Sequence, residues 1–145
     1  MKVVVQAQDF DAGAEMRALQ RDSKVGAVAS FVGVVREVAM TLEHYPGMTE
    51  RALQKIVEEA RGRWQVLDCT VIHRVGALKP TDQIVLVAVA SAHRGDAFQA
   101  CEFVMDYLKT QAPFWKKEHR ASGATWVEAR TADDAAADRW KKSGK

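Results

Sequence analysis

Short β-branched runs alternate along this chain with two stretches whose apolar positions recur every three or four residues. Residues 3–5 predict an opening or edge strand, and Asp9 or Asp11 can cap a short helix through Glu15 to Arg21. Residues 25–45, VGAVASFVGVVREVAMTLEHY, are valine-rich and strand-like but too long for one strand. Between Arg36 and Leu42 they hold no Gly, Pro, Asn or Asp to make a turn. Tyr45-Pro46-Gly47 breaks the run and Thr49 can cap a helix, in which Ala52, Leu53, Ile56, Val57 and Ala60 keep helical spacing as far as Trp64. Residues 66–75 and 84–91 read as strands joined by a turn at Lys79-Pro80-Thr81-Asp82. A second helix over 94–111 is expected to bury Ala97, Phe98, Cys101, Val104, Met105 and Leu108. Pro113 ends it, because proline has no N–H to donate and restricts the residue before it. Residues 114–120 and 125–129 predict a hairpin around Ser122-Gly123, and the Ala- and Asp-rich tail from Thr131 a short terminal helix or a frayed end. Strands interleaved with two main helices and a late hairpin predict an α+β fold in a single domain over 1–145.

Composition narrows the field. A chain of 145 residues can bury roughly two-thirds of its unfolded surface in one core. No apolar run approaches the roughly 20 residues that span a bilayer. The opening MKVVVQAQDFD turns acidic too early for a secretory leader, and Cys69 and Cys101 form neither a CxxC nor a Cys/His cluster. Buried inert thiols, no zinc, no disulfide and a reducing cytoplasm are expected. The net charge of +2 does not mark a nucleic-acid binder, so any electrostatic function must come from local clustering.

Such a cluster stands at residues 108–120, LKTQAPFWKKEHR, where Lys109, Lys116, Lys117 and Arg120 face one carboxylate, Glu118. Lys109 alone reads as a solvated lysine with Asp106 and Glu102 as helical neighbours. Pro113 changes that reading: the chain leaves the helix extended, and Lys116 can return alongside Lys109. Two ammonium groups sharing a site lower each other's pKa and together bind an anion. A second candidate is SAHRGDAF, residues 91–98, where His93 and Arg94 stand at a strand end as a helix begins; there Ser91 and Asp96 can equally serve as plain caps. The third is FVGVVR, residues 31–36, where Gly33 suggests a bulge or close approach and Arg36 can fork onto a phosphate. His44 and His73, in strand-like runs, read as structural histidines.

LEHYPGMTE (42–50), VIHRVG (71–76), SAHR (91–94), MDYLKTQAPFWKKE (105–118) and WVEAR (126–130) together make the chain resemble the large, catalytic subunit of molybdopterin synthase, from about residue 25 to 140. The resemblance implies an α/β hammerhead fold with an added antiparallel sheet. It implies an enzyme, a sulfurtransferase of molybdenum cofactor biosynthesis that converts cyclic pyranopterin monophosphate into molybdopterin by installing two dithiolene sulfurs. The sulfur comes as a thiocarboxylate on the C-terminal Gly-Gly tail of a small ubiquitin-like subunit, and a homodimer forms the core of a heterotetramer. By motif, Lys109 and Lys116 are the implied catalytic residues. Val34, Val35, Arg36, Lys117, Glu118, and the His93–Arg94 pair contributed across the dimer are the implied substrate contacts, with Arg130 a further one. No metal or organic cofactor is implied for this step. Relatives carry several more residues between this VR and LEHYPG, matching the missing turn chemistry; a loop piece absent from this sequence is expected over a truly shortened loop. The rival readings are a non-catalytic module whose basic hairpin recognises an acidic protein tail and, more weakly, a single-strand RNA binder stacking bases on Phe114 and Trp115.

Overall fold

QIVLVAVAS, residues 83–91, has no polar alternation because strand β6 (Gln83–Ser91) is covered on both faces. Val85, Val87 and Val89 point into one apolar cluster, and Leu86, Ala88 and Ala90 into another. The strand is central in a four-stranded sheet that also holds β1 (Lys2–Gln6), β2 (Ala27–Val34) and β4 (Asp68–Arg74), in the order β1-β4-β6-β2. β1 runs parallel to β4, and the other pairings are antiparallel. Helices α2 (Met48–Arg63) and α3 (Arg94–Gln111) supply Leu53, Ile56, Val57, Phe103 and Val104 to the first cluster. Helix α1 (Ala12–Leu19), N-capped by the Asp11 carboxylate on the Ala14 N–H at 3.0 Å, closes the other face with Leu19. This computed structural model describes residues 1–120, 123–127 and 131–142.

A second, antiparallel sheet, ordered β5-β3-β7-β8, consists of β3 (Met40–His44), β5 (Gly76–Leu78), β7 (Phe114–Arg120) and β8 (Gly123–Val127). The valine-rich stretch is therefore two strands, one in each sheet. Between them the Val38 N–H donates to the Arg36 carbonyl at 2.7 Å, with Glu37 at φ 67°. This is a three-residue turn whose centre lies in the left-handed region, a conformation that costs a non-glycine residue about 1–3 kcal/mol. The missing turn residue is Glu37 under strain, and residues 35–39 suffice to cross between the sheets.

The tail is a docked helix, α4 (Thr131–Lys142). Trp140 packs edge-on against Trp64 and Phe103, with ring centroids at 5.4 and 5.7 Å, and its indole N–H donates to Asp106 at 2.6 Å. Arg139 donates to Glu102 and Asp106 at 2.9 and 2.8 Å, so the two carboxylates expected beside Lys109 are engaged by α4. Phe98, expected in the core, is 64% exposed, because the helical stripe that faces the sheet runs through Ala97, Ala100, Cys101 and Val104. Cys69 and Cys101 are both buried and free, and burial pushes each thiol up to about 12, which keeps them inert. No helix among the described residues is long and apolar enough to cross a membrane.

Candidate active site

Three segments converge where the two sheets meet the C-terminal end of α3. The first is the end of β2. Its register shifts between Gly33 and Val34, and a Cβ at Gly33 would lie 2.9 Å from the Val85 side chain, so this is both the bulge and the close approach. The Val35 N–H donates to the Asp82 carbonyl and its own carbonyl accepts from Thr81, both at 2.9 Å, which pins the base of Arg36. Arg36 is exposed, with no hydrogen bond or ion pair to its guanidinium among the described residues.

The second segment is the last turn of α3, which carries Lys109 on its exposed side. The third is β7, entered directly after Pro113. Side chains alternate along a strand, so Phe114, Lys116, Glu118 and Arg120 share one face and Trp115, Lys117 and His119 the other. The register places Leu42 opposite Lys116 and Met40 opposite Glu118 on the inner face. The apolar floor thus supports the lysine stem. Glu118 bridges two cations, at 2.6 Å to Arg120 and 3.8 Å to Lys116.

Together these segments line an open cavity of about 400 Å³, bordered among others by Val34, Val35, Arg36, Lys109, Lys116 and Glu118. That volume lies within the range of small-molecule sites. Its charged lining also includes Arg120, Glu37 and Asp133, four cations against three carboxylates, so it accepts an anion without being a uniformly basic hole. Among the described residues no three His, Cys, Asp or Glu side chains are grouped to hold a metal ion.

His73 lies at the bottom of this cavity, 5% exposed. Its ring stacks on Phe114 at 3.8 Å between centroids, and its Nδ1–H donates to the Arg74 carbonyl at 2.8 Å. Burial pushes its imidazole down to about 4 against the pull of that hydrogen bond, and the Lys109 ammonium lowers it further. His73 is therefore neutral at pH 7, as the structural reading of it required. With a folded value near 4 and an unfolded one near 6.5, the unfolded chain binds the extra proton, so this contribution to stability is intact above pH 6.5 and is lost as pH falls toward 4. Between pH 7 and pH 5 the wild type should lose about 2 kcal/mol more than His73→Gln, as urea unfolding at the two pH values will measure.

The other expected site residues lie elsewhere. Lys117 is on the reverse face of the sheet, its ammonium 5.5 Å from the Trp126 ring centroid, so within one chain it does not line the cavity; Trp115 is 46% exposed on that face too. Arg94 starts α3, 15 residues and about 22 Å from Lys109 along the helix axis, and His93 is the N-cap just before it. Both are exposed, and Ser91 does not cap that helix: its hydroxyl donates to the Gln65 carbonyl at 2.6 Å, and Asp96 accepts from the Gln65 N–H at 3.0 Å. Arg130 lies outside the described residues. Arg120, Asp133 and Glu37 belong to the lining although sequence reading did not select them. Alternation outward from Lys116 was the available signal for Arg120. Nothing local foretold Asp133, which arrives with α4.

The family model described as MoaE protein matches residues 5–111. The molybdopterin synthase catalytic subunit of Ralstonia nicotianae is 60% identical over 144 residues, spanning 94% of this chain and 82% of that protein. That of Escherichia coli is 54% identical over 146 residues, spanning 96% and 97%. Among solved structures, the molybdopterin biosynthesis MoaE protein from Burkholderia ambifaria superposes with a TM-score of 0.85 at 60% identity, covering 97% of this chain and 98% of that one. Molybdopterin synthase from Staphylococcus aureus gives 0.82 at 32% identity, covering 88% and 98%.

Proposed function

We infer the function from kinship and geometry together: the chain belongs to the MoaE protein family, and its cavity suits the sulfur transfer that membership implies. It is a sulfurtransferase, the catalytic subunit of a molybdopterin synthase, working in molybdenum cofactor biosynthesis. Its substrate is cyclic pyranopterin monophosphate, and its partner is a small ubiquitin-like subunit that delivers sulfur as a C-terminal thiocarboxylate. Both are anionic. At an effective dielectric near 20, two unit charges about 4 Å apart repel by roughly 4 kcal/mol, and the site must cancel that cost.

The observation that carries this reading is that Arg36, Lys109 and Lys116 line one cavity. Arg36 is suited to hold phosphate. The thiocarboxylate sulfur attacks a substrate carbon, whose oxygen leaves as a lysine ammonium protonates it. Water then hydrolyses the resulting thioester, so that the tail departs as a carboxylate and the sulfur stays on the pterin. The two ammonium groups stabilise the negative charge that develops on oxygen. Because the sulfur arrives already activated, the step requires neither a metal nor an organic cofactor. A glycine-ended tail can thread a narrow opening where a bulkier one would not. His93 and Arg94, remote from the cavity of their own chain, and Lys117, on the reverse face of its sheet, serve the cavity of a second copy. Glu118 contacts the substrate in this one, and Arg130 is a further contact that family membership implies. The enzyme works in the cytoplasm. A module that only grips an acidic tail would have no use for a cavity of small-molecule size.

Mixing the protein with thiocarboxylated small subunit and pterin precursor, and assaying dithiolene product, tests the assignment. Product that requires the thiocarboxylate supports it; precursor left intact beside bound thiocarboxylate rejects it. In the same assay Arg94→Ala should raise KM for the precursor about tenfold with kcat within about twofold, the pattern of lost uniform binding. An unchanged KM with a lowered kcat would contradict its role as a phosphate anchor.

A further inference from the structure

The hydroxyl of Thr49 reaches the link between the two segments that carry the lysines. Thr49 is 0% exposed. Its Oγ1 accepts the Tyr45 N–H at 2.9 Å and donates to the Pro113 carbonyl at 2.9 Å. Its own N–H donates to the Tyr45 carbonyl at 2.9 Å. One side chain therefore joins the exit of β3, the first turn of α2 and the proline link between α3 and β7.

That link decides where the ammonium groups go. Lys109 stands four residues before Pro113 and Lys116 three after it. The β3–β7 ladder begins only at the pair His44 and Phe114, so the Pro113 carbonyl lies just beyond it and depends on Thr49 for its hydrogen bond. Proline has no N–H of its own to donate, so the backbone brace at this point is the turn in which the Phe114 N–H donates to the Ala112 carbonyl at 2.9 Å. The Thr49 hydroxyl ties that turn to β3 and α2. The part-buried Pro113 carbonyl and Tyr45 N–H lose their partner together if the hydroxyl goes.

We propose that Thr49 is a positioning residue for the reaction, its hydroxyl setting the angle at Pro113 that brings Lys109 and Lys116 onto one substrate. This rests on the reading that those two lysines act in the same cavity. Thr49 is buried and is not part of the cavity lining, so its removal moves chemistry rather than binding.

Thr49→Val keeps the volume and removes the hydroxyl; Thr49→Ser keeps the hydroxyl. Both are assayed for dithiolene formation with saturating thiocarboxylated small subunit, at a temperature where circular dichroism shows them fully folded. Thr49→Val should lower kcat about tenfold or more with KM for the precursor within about twofold, since small misplacements of reacting groups are costly. Thr49→Ser should recover kcat to within about threefold of wild type. Should Thr49→Val not fold, Thr49→Cys, a weaker donor of similar size, takes its place with an intermediate kcat expected. Wild-type kcat in folded Thr49→Val or Thr49→Cys overturns the proposal, and so does equal impairment of the serine and valine variants, which would point to the methyl group. Lys109→Ala, run alongside, separates the failures: inactive there with Thr49→Val active removes only this inference, whereas active Lys109→Ala removes the reading beneath it.

Discussion

Lys109→Ala should fold like the wild type and form dithiolene product at least about 100-fold more slowly, the scale of a lost proton donor or charge-stabilising group. The side chain is exposed at the end of α3, so truncation opens no hole in the core. Alanine is also the better helix former, which offsets the loss of a cation from the last turn. Lys116→Ala should cost less, about tenfold. Lys116 already shares Glu118 with Arg120, which remains in the cavity to supply positive charge. Turnover near wild type in Lys109→Ala would reject its catalytic role.

Phe103→Ala should lower stability by about 3–5 kcal/mol, the usual cost of emptying a buried aromatic site. Phe103 is 0% exposed and meets Trp64, Tyr107 and Trp140 edge-on, with centroids at 5.4, 4.5 and 5.7 Å. The Arg63 guanidinium lies 4.7 Å over its ring, and the same arginine donates to the Trp140 carbonyl at 3.0 Å. Helices α2, α3 and α4 meet at this ring, so the cavity cannot be refilled without moving one of them. A urea titration followed by tryptophan fluorescence measures the loss; a change below about 1 kcal/mol would mean that the three helices close over the gap.

The same physics separates what was legible in the sequence from what was not. The β-branched run of β6 announced a strand, though its cover on both faces emerged only with the fold, and the apolar spacing of α2 announced its buried face. Pro113 marked the end of α3 because its effect is local and steric. The β2–β3 crossing was hidden, since Glu37 takes a conformation that composition assigns to glycine or asparagine. Phe98 misled because helical spacing alone does not say how wide the covered stripe is. Lys117 reads like Lys116 in a motif, yet strand alternation sends neighbours to opposite faces. His73 against Phe114, and Thr49 against Pro113, join residues 41 and 64 positions apart, and no local pattern encodes such a pairing.

The proposed catalysis needs two ammonium groups, brought together by a proline break, that serve a single transition state. A double-mutant cycle tests this by measuring kcat/KM for Lys109→Ala, Lys116→Ala and the combined variant with thiocarboxylated small subunit and pterin precursor. Groups acting as a unit are strongly non-additive, so the combined variant should be barely slower than Lys109→Ala alone. Rate losses that multiply would show the two lysines working independently, and would contradict the shared site.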